Sequence, residues 1–274
     1  MTKFGNYQEY SERGLAKAKA ALLTVWPSLS RCHDDLVLVG GLAVDCLTKA
    51  QPGGYPVAVT IDADLGISLG AGGDMYGTIS TDLAGIGFVR DTVNASRYFR
   101  DVEGVKIYLD FLTESPEAQT GSQRVDDIIA SVIPGINRAL ASRRGIPISG
   151  TDLYGAEQVI TVNVAGIGPL IALKANAFGG PTGRRHPKDA YDLLLLVTSY
   201  IDGSDKAISG FHDEAGKSNP AYGSAIEALR KDFYTETADG PIRAAEFLRG
   251  TLDEAERIRQ DMVTVARRLL GEDI

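Results

Sequence analysis

Residues 36–65 read LVLVGGLAVDCLTKAQPGGYPVAVTIDADL. Leu36 to Val39 is a short apolar run rich in branched residues, the pattern of a buried strand. Gly40 and Gly41 end it. Leu42 to Ala50 then suits a helix, which Pro52-Gly53-Gly54 stops. A second strand is predicted to run to Ile67, with Val57, Val59, Ile61, Ala63, Leu65 and Ile67 alternating against Thr60, Asp62 and Asp64. Side chains two apart share a strand face, so Asp62 and Asp64 project together, away from the apolar face. Two neighbouring carboxylates repel and gain little from packing unless a cation sits between them. Mg²⁺ meets that need, because it takes oxygen ligands and joins protein carboxylates to substrate phosphates.

Further along, Ser96–Val102 and Val105–Thr113 are predicted to form a hairpin across Glu103-Gly104. In its second strand Val105, Ile107, Leu109 and Phe111 make the apolar face. Lys106, Tyr108 and Asp110 make the other, so Asp110 stands on a polar face in mid-strand. Residues 170–197 read LIALKANAFGGPTGRRHPKDAYDLLLLV. A helix carrying Lys174, with Pro169 in its first turn, runs to about Phe178 and breaks at Gly179-Gly180-Pro181. A second starts after Pro187 and carries Lys188, Asp189, Tyr191 and Asp192.

Strand, Gly-Gly, helix, then Thr60-x-Asp62-x-Asp64 on the next strand resembles the nucleotidyltransferase superfamily related to DNA polymerase beta. Within it the likeness is to the AbiEii-like group, the toxin-type nucleotidyltransferases of type IV toxin–antitoxin systems. That group has a similar Lys helix, a basic connection, and a (Lys/Arg)-Asp-x-x-Asp-Leu helix, here Lys188-Asp189-Ala190-Tyr191-Asp192-Leu193. The resemblance spans roughly residues 35–200 and does not reach the two ends of the chain.

The resemblance implies a nucleotidyltransferase fold of the α+β class, a mixed sheet flanked by helices with a mostly helical C-terminal part. It places Gly40 and Gly41 against a nucleoside triphosphate. Many superfamily members have Ser at the second position; with Gly41 there, any phosphate contact must come from backbone. Asp62 and Asp64 would ligate two Mg²⁺ ions, and Asp110 would complete the acceptor-side site and act as general base. Lys174 would neutralise the β- and γ-phosphates, with Asp192 positioning it or an Arg. Arg184 and Arg185 would grip phosphate or an RNA backbone. Plainer readings stand beside these: Asp62, Asp64 and Asp110 as solvated strand carboxylates, Lys174 as a snorkelling side chain, Arg184 and Arg185 as exposed loop residues, and Asp189 as a helix-dipole partner.

The activity implied is Mg²⁺-dependent transfer of a nucleoside monophosphate from a triphosphate to an acceptor hydroxyl, with tRNA the leading acceptor and a cognate antitoxin a natural partner. One alternative keeps the chemistry with a small polycationic acceptor of the aminoglycoside kind. Another is a non-catalytic nucleotide-binding protein, against which the joint presence of Asp62, Asp64, Asp110 and Lys174 speaks.

The remaining sequence sets bounds. The 274 residues suit a core at 1–165 with an N-terminal helix and a helical region at 166–274 closing a nucleotide cleft. A net charge of −8 argues against a broad nucleic-acid footprint, though not against a local basic groove at the Arg pairs. Cys32 and Cys46 read as reduced core thiols, and three histidines make a histidine metal site improbable. With no membrane-spanning run and no secretory signal, a cytoplasmic protein is expected. Helices are expected at 5–24, with Pro27 beyond the end, and near Asp74–Leu83. Residues 114–135 read as a long excursion, Arg143-Arg144-Gly145 as a hairpin turn, Val159–Val164 as a strand and 203–220 as a polar connection. Two final helices are expected at Ala221–Tyr234 and Ile242–Leu270, the latter on an apolar stripe at three-and-four spacing.

Overall fold

Strand β1 (Leu36–Val39) is buried at all four residues, and the sheet extends outward from it. On one side lies β2 (Asp62–Ile67), antiparallel, with Leu38 opposite Leu65 and Val39 opposite Asp64. On the other lies β9 (Glu157–Val164), parallel to β1 and paired antiparallel with β8 (Arg144–Thr151). Beyond β2 come β5 (Val105–Thr113), parallel to it, then β4 (Arg97–Val102) and the short β3 (Val89–Arg90). The strand path is therefore β3-β4-β5-β2-β1-β9-β8, a mixed sheet. These features come from a computed structural model that describes residues 4–10, 12–68, 78–252 and 254–272.

The expected hairpin is present. Glu103 and Gly104 both take positive φ (53° and 77°), the conformation of a two-residue turn whose twist matches the flanking strands. Val102 pairs with Val105, and the register runs back to Arg97 opposite Asp110. Where β4 stops, β7 (Ile128–Val132) takes over beside the last residues of β5, with β6 (Ser122–Val125) paired to it. Residues 114–135 thus hold a hairpin rather than a plain excursion. Its outer strand is short and buries only Val125, so no alternation marks it.

Other boundaries move. Residues 7–9 form a 3-10 turn capped by Asn6, and α1 runs Glu12–Ser28 with Pro27 inside its last turn. The proline there forfeits one hydrogen bond, and Leu29 N still closes on Val25 O at 3.1 Å. Helix α2 is Gly40–Leu47, starting at the glycines instead of after them. The strand expected from Val57 begins only at Asp62: Pro56 has no N–H to give, and the carbonyls of Pro56 and Val57 accept from the Tyr191 and Tyr7 hydroxyls. Helix α3 is Ile79–Gly85; residues 69–77, including the start of the expected helix near Asp74, lie outside the described residues. After α4 (Ile136–Ala141), Arg144-Gly145 opens β8 instead of turning the chain. The reversal comes at 152–156, where Asp152 Oδ1 accepts from Tyr154 N and Ala156 N at 2.8 and 2.9 Å.

The chain divides into two units. The sheet unit comprises the described residues of 12–46 and 59–166. In it α1 packs across β2, β5, β8 and β9 through a stripe of Ala18, Leu22 and Val25. The helical unit comprises those of 1–11, 47–58 and 167–274. It contains α5 (Ile167–Gly179), α6 (Pro187–Thr198), α7 (Ser204–His212), α8 (Tyr222–Asp232), α9 (Asp239–Leu248) and α10 (Ala255–Leu269). Helix α7 replaces the expected connection at 203–220. Its Gly210 serves packing, since a Cβ on Gly168 of α5 would lie 2.1 Å from Gly210 O. The final expected helix is two, divided where Gly250 takes φ +80° just past α9. Segment 47–58 joins this unit through a Thr48–Tyr200 bridge and a 2.6 Å bond from Tyr55 Oη to Asp261.

Both cysteines are free, Cys32 buried and Cys46 half-buried. Burial pushes their thiols up to about 11 and about 12, so neither is a nucleophile at neutral pH. Among the described residues no helix is long and apolar enough to cross a membrane. Since Leu38 sits wholly inside the sheet unit, Leu38→Ala should cost about 2–5 kcal/mol by urea unfolding. Val159→Thr, at a residue 79% exposed, should stay within about 0.5 kcal/mol.

Candidate metal centre

The centre begins at the β1–α2 turn. Gly40 takes φ +66°, and an added Cβ there would meet Asp64 at 1.8 Å from Oδ2, 2.6 Å from Cγ and 2.8 Å from Cβ. The whole Asp64 side chain therefore lies in the space that a missing Cβ provides. Asp62 and Asp64 leave β2 on the same face, while Ala63, Leu65 and Ile67 are buried on the other. Thr60 fixes Asp62: its hydroxyl donates to Asp62 Oδ1 and accepts from Asp62 N at 3.3 Å.

Parallel pairing of β2 with β5 puts Asp64 directly opposite Asp110 and Asp62 opposite Tyr108. Neighbouring strands lie about 4.8 Å apart, so the third carboxylate arrives by register. One carboxylate oxygen from each of Asp62, Asp64 and Asp110 lies within 4.8 Å of the others, and Asp62 and Asp110 are buried. A convergent, oxygen-only set of this kind suits a hard cation such as Mg²⁺. The donor set and the cradle at Gly40 both fit one.

Sequence reasoning missed Arg97. Its Nε donates to Asp110 Oδ1 at 2.6 Å and its Nη2 donates to Oδ2, a bidentate pair. The guanidinium lies 4.9 Å from the centroid of the Tyr108 ring. Burial draws the Arg97 pKa down, but the hydrogen bonds and charge of Asp110, with Asp62 and Asp64 behind it, outweigh this and leave it raised. The signal was in the sequence: a two-residue turn at 103–104 pairs 102 with 105, and counting back along both strands pairs 97 with 110.

The remaining predicted residues lie in the helical unit. Lys174 of α5 and Lys188 of α6 both donate to Asp192 Oδ2, at 2.6 and 2.7 Å. Lys174 also lies 3.8 Å from Asp189, whose other oxygen accepts from Arg184 at 3.0 Å. Lys174, Lys188, Asp189 and Asp192 are all buried. Lys174 is therefore no snorkelling surface residue, and Asp189 does more than favour a helix dipole. Arg185 takes φ +51°, unusual for a residue with a side chain, and pairs with Asp232 at 2.9 Å and with Asp239. So Gly40, Asp62, Asp64 and Asp110 converge in one unit and Lys174, Arg184 and Asp192 in the other, where Arg185 pairs instead with Asp232 and Asp239. Gly41 is buried in the first turn of α2.

Compared with protein-family models and with curated proteins, the sequence returns no match.

Gly40 and Gly53 take nearly the same φ (+66° and +68°), but nothing lies within 4 Å of a Cβ on Gly53. Alanine at either should cost about 1–2 kcal/mol of backbone strain. Only Gly40→Ala should also lower Mn²⁺ affinity, by roughly tenfold or more, measured by titration calorimetry.

Proposed function

We propose that the protein is a Mg²⁺-dependent nucleotidyltransferase of the AbiEii-like kind, built on a nucleotidyltransferase fold. The observation that carries this reading is the convergence of Asp62, Asp64 and Asp110 beside the Gly40 turn. That is the order of parts the sequence resemblance implies: a strand, Gly-Gly, a helix, paired carboxylates, and a third carboxylate on the neighbouring strand.

In the reaction, an acceptor hydroxyl oxygen bonds to the α-phosphorus of a nucleoside triphosphate. The bond from that phosphorus to the bridging oxygen breaks, and pyrophosphate leaves with its electron pair. Bound Mg²⁺, held by Asp62, Asp64 and Asp110, would stabilise the charge on the attacking and leaving oxygens. Asp110 would accept the hydroxyl proton. Thr60 keeps Asp62 in one orientation, and Gly40 leaves Asp64 room beside the turn. Gly41 lies in the first turn of α2, where backbone N–H groups suit a phosphate. In the helical unit Lys174, Lys188 and Arg184 gather about Asp189 and Asp192, and three clustered cations suit an anionic ligand. We take tRNA as the acceptor and a cognate antitoxin as a partner from the resemblance alone.

The test is incubation with each of four α-labelled nucleoside triphosphates, Mg²⁺ and total tRNA, beside Asp62→Ala. Label should appear on tRNA with one or more triphosphates and be lost in the variant. Transfer to a small polycation instead would keep the chemistry and change the acceptor. Absence of both transfer and Mg²⁺-dependent triphosphate binding would contradict the reading.

A further inference from the structure

The sheet unit holds a cavity of about 230 Å³ that the chemistry above does not use. Its walls come from three elements: Lys19 and Leu22 of α1, Leu42, Asp45 and Cys46 of α2, and residues 146–149 of β8. Residues three and four apart share a helix face, so each helix gives one face to the cavity. Asp62, Asp64 and Asp110 are not among its lining residues.

The lining divides by chemistry. Leu22, Leu42, Ile146 and Ile148 make an apolar wall, with Leu22 and Leu42 buried. Lys19 Nζ and an Asp45 carboxylate oxygen lie 2.7 Å apart, the two side chains 40% and 15% exposed. The half-buried Cys46 thiol, which burial keeps protonated at neutral pH, adds a neutral surface.

Volume sets the size of a ligand. The space is several times the roughly 30 Å³ of a water molecule and smaller than the ~300 Å³ at which drug-sized pockets begin. Charge sets its kind. An ammonium and a carboxylate side by side at an apolar wall complement a molecule with both charges on one carbon and an aliphatic chain behind them. The existing pair does not bar entry: an ion pair with one partner this exposed is worth little, and Lys19 swings on a flexible stem.

We propose that this cavity binds a small aliphatic amino acid, its carboxylate on Lys19, its ammonium on Asp45 and its side chain against Leu22, Leu42, Ile146 and Ile148. The site needs neither metal nor nucleotide, so it stands or falls independently of the function proposed above.

The test is titration calorimetry of the full chain with leucine, each variant checked for folding by its melting curve. Leucine should bind with a dissociation constant of about 1 mM or tighter. Alanine should bind at least tenfold more weakly, at roughly fourfold per lost methylene. Isocaproate and isoamylamine, which keep the chain and one charge each, should also lose about tenfold or more. Lys19→Met and Asp45→Asn should each weaken leucine by a similar factor, and Asp62→Ala should leave it unchanged. On wild type, leucine should slow maleimide labelling of Cys46. No heat with leucine at about 10 mM would overturn the proposal, as would equal binding by the acid or the amine. Full leucine affinity in both folded cavity variants, loss of it in a folded Asp62→Ala, or Cys46 labelling that saturating leucine does not slow would each place the ligand elsewhere and overturn it.

Discussion

Repulsion among three carboxylates is the constraint on which the sheet unit turns. At separations up to 4.8 Å, each charged pair costs roughly 3 kcal/mol at an effective dielectric of about 20. Asp64 and Asp110 are brought together by backbone register, and Asp62 follows because strand side chains repeat every two residues. The chain cannot relax this by rotating one aspartate, because Thr60 holds Asp62, the Gly40 turn walls Asp64 and Arg97 holds Asp110. A fold that forces like charges together and then braces each of them could hold a cation there. Arg97 sets one positive charge against Asp110.

The helical unit buries charge in a different way. Asp192 shares one oxygen between Lys174 and Lys188, while Asp189 bridges Lys174 and Arg184. Buried ions survive when they are paired and hydrogen-bonded, and removing one partner is far more costly than replacing the set. The Lys-Asp-x-x-Asp pattern of α6 is thus explained by packing as well as by chemistry: three and four residues apart on a helix, Asp189 and Lys188 share a neighbourhood with Asp192. These residues steady α5 against α6.

The centre was more legible in the sequence than the fold around it. Asp62, Asp64 and Asp110 could be found because strand alternation and a two-residue turn are rules of short range. Arg97 obeys the same register, but an arginine within a strand carries no mark of the residue opposite it. The β6–β7 hairpin was illegible because a short outer strand that buries only Val125 has no apolar alternation. Helix α7 carries Gly210, and a glycine that admits a neighbouring helix looks the same in sequence as one that ends its own. The departure of residues 47–58 to the helical unit has no periodic signal at all; it depends on Tyr7, Tyr55 and Tyr191, whose hydroxyl bonds reach across long sequence separations.

Anomalous diffraction from crystals grown with Mn²⁺ and no nucleotide tests the centre most directly, because it locates the ion and the arginine in one experiment. The expected result is a peak bonded to carboxylates among Asp62, Asp64 and Asp110, with Arg97 beside Asp110. No peak at these residues, in crystals where Mn²⁺ is in excess, would contradict a metal centre and leave the three aspartates as a purely structural cluster.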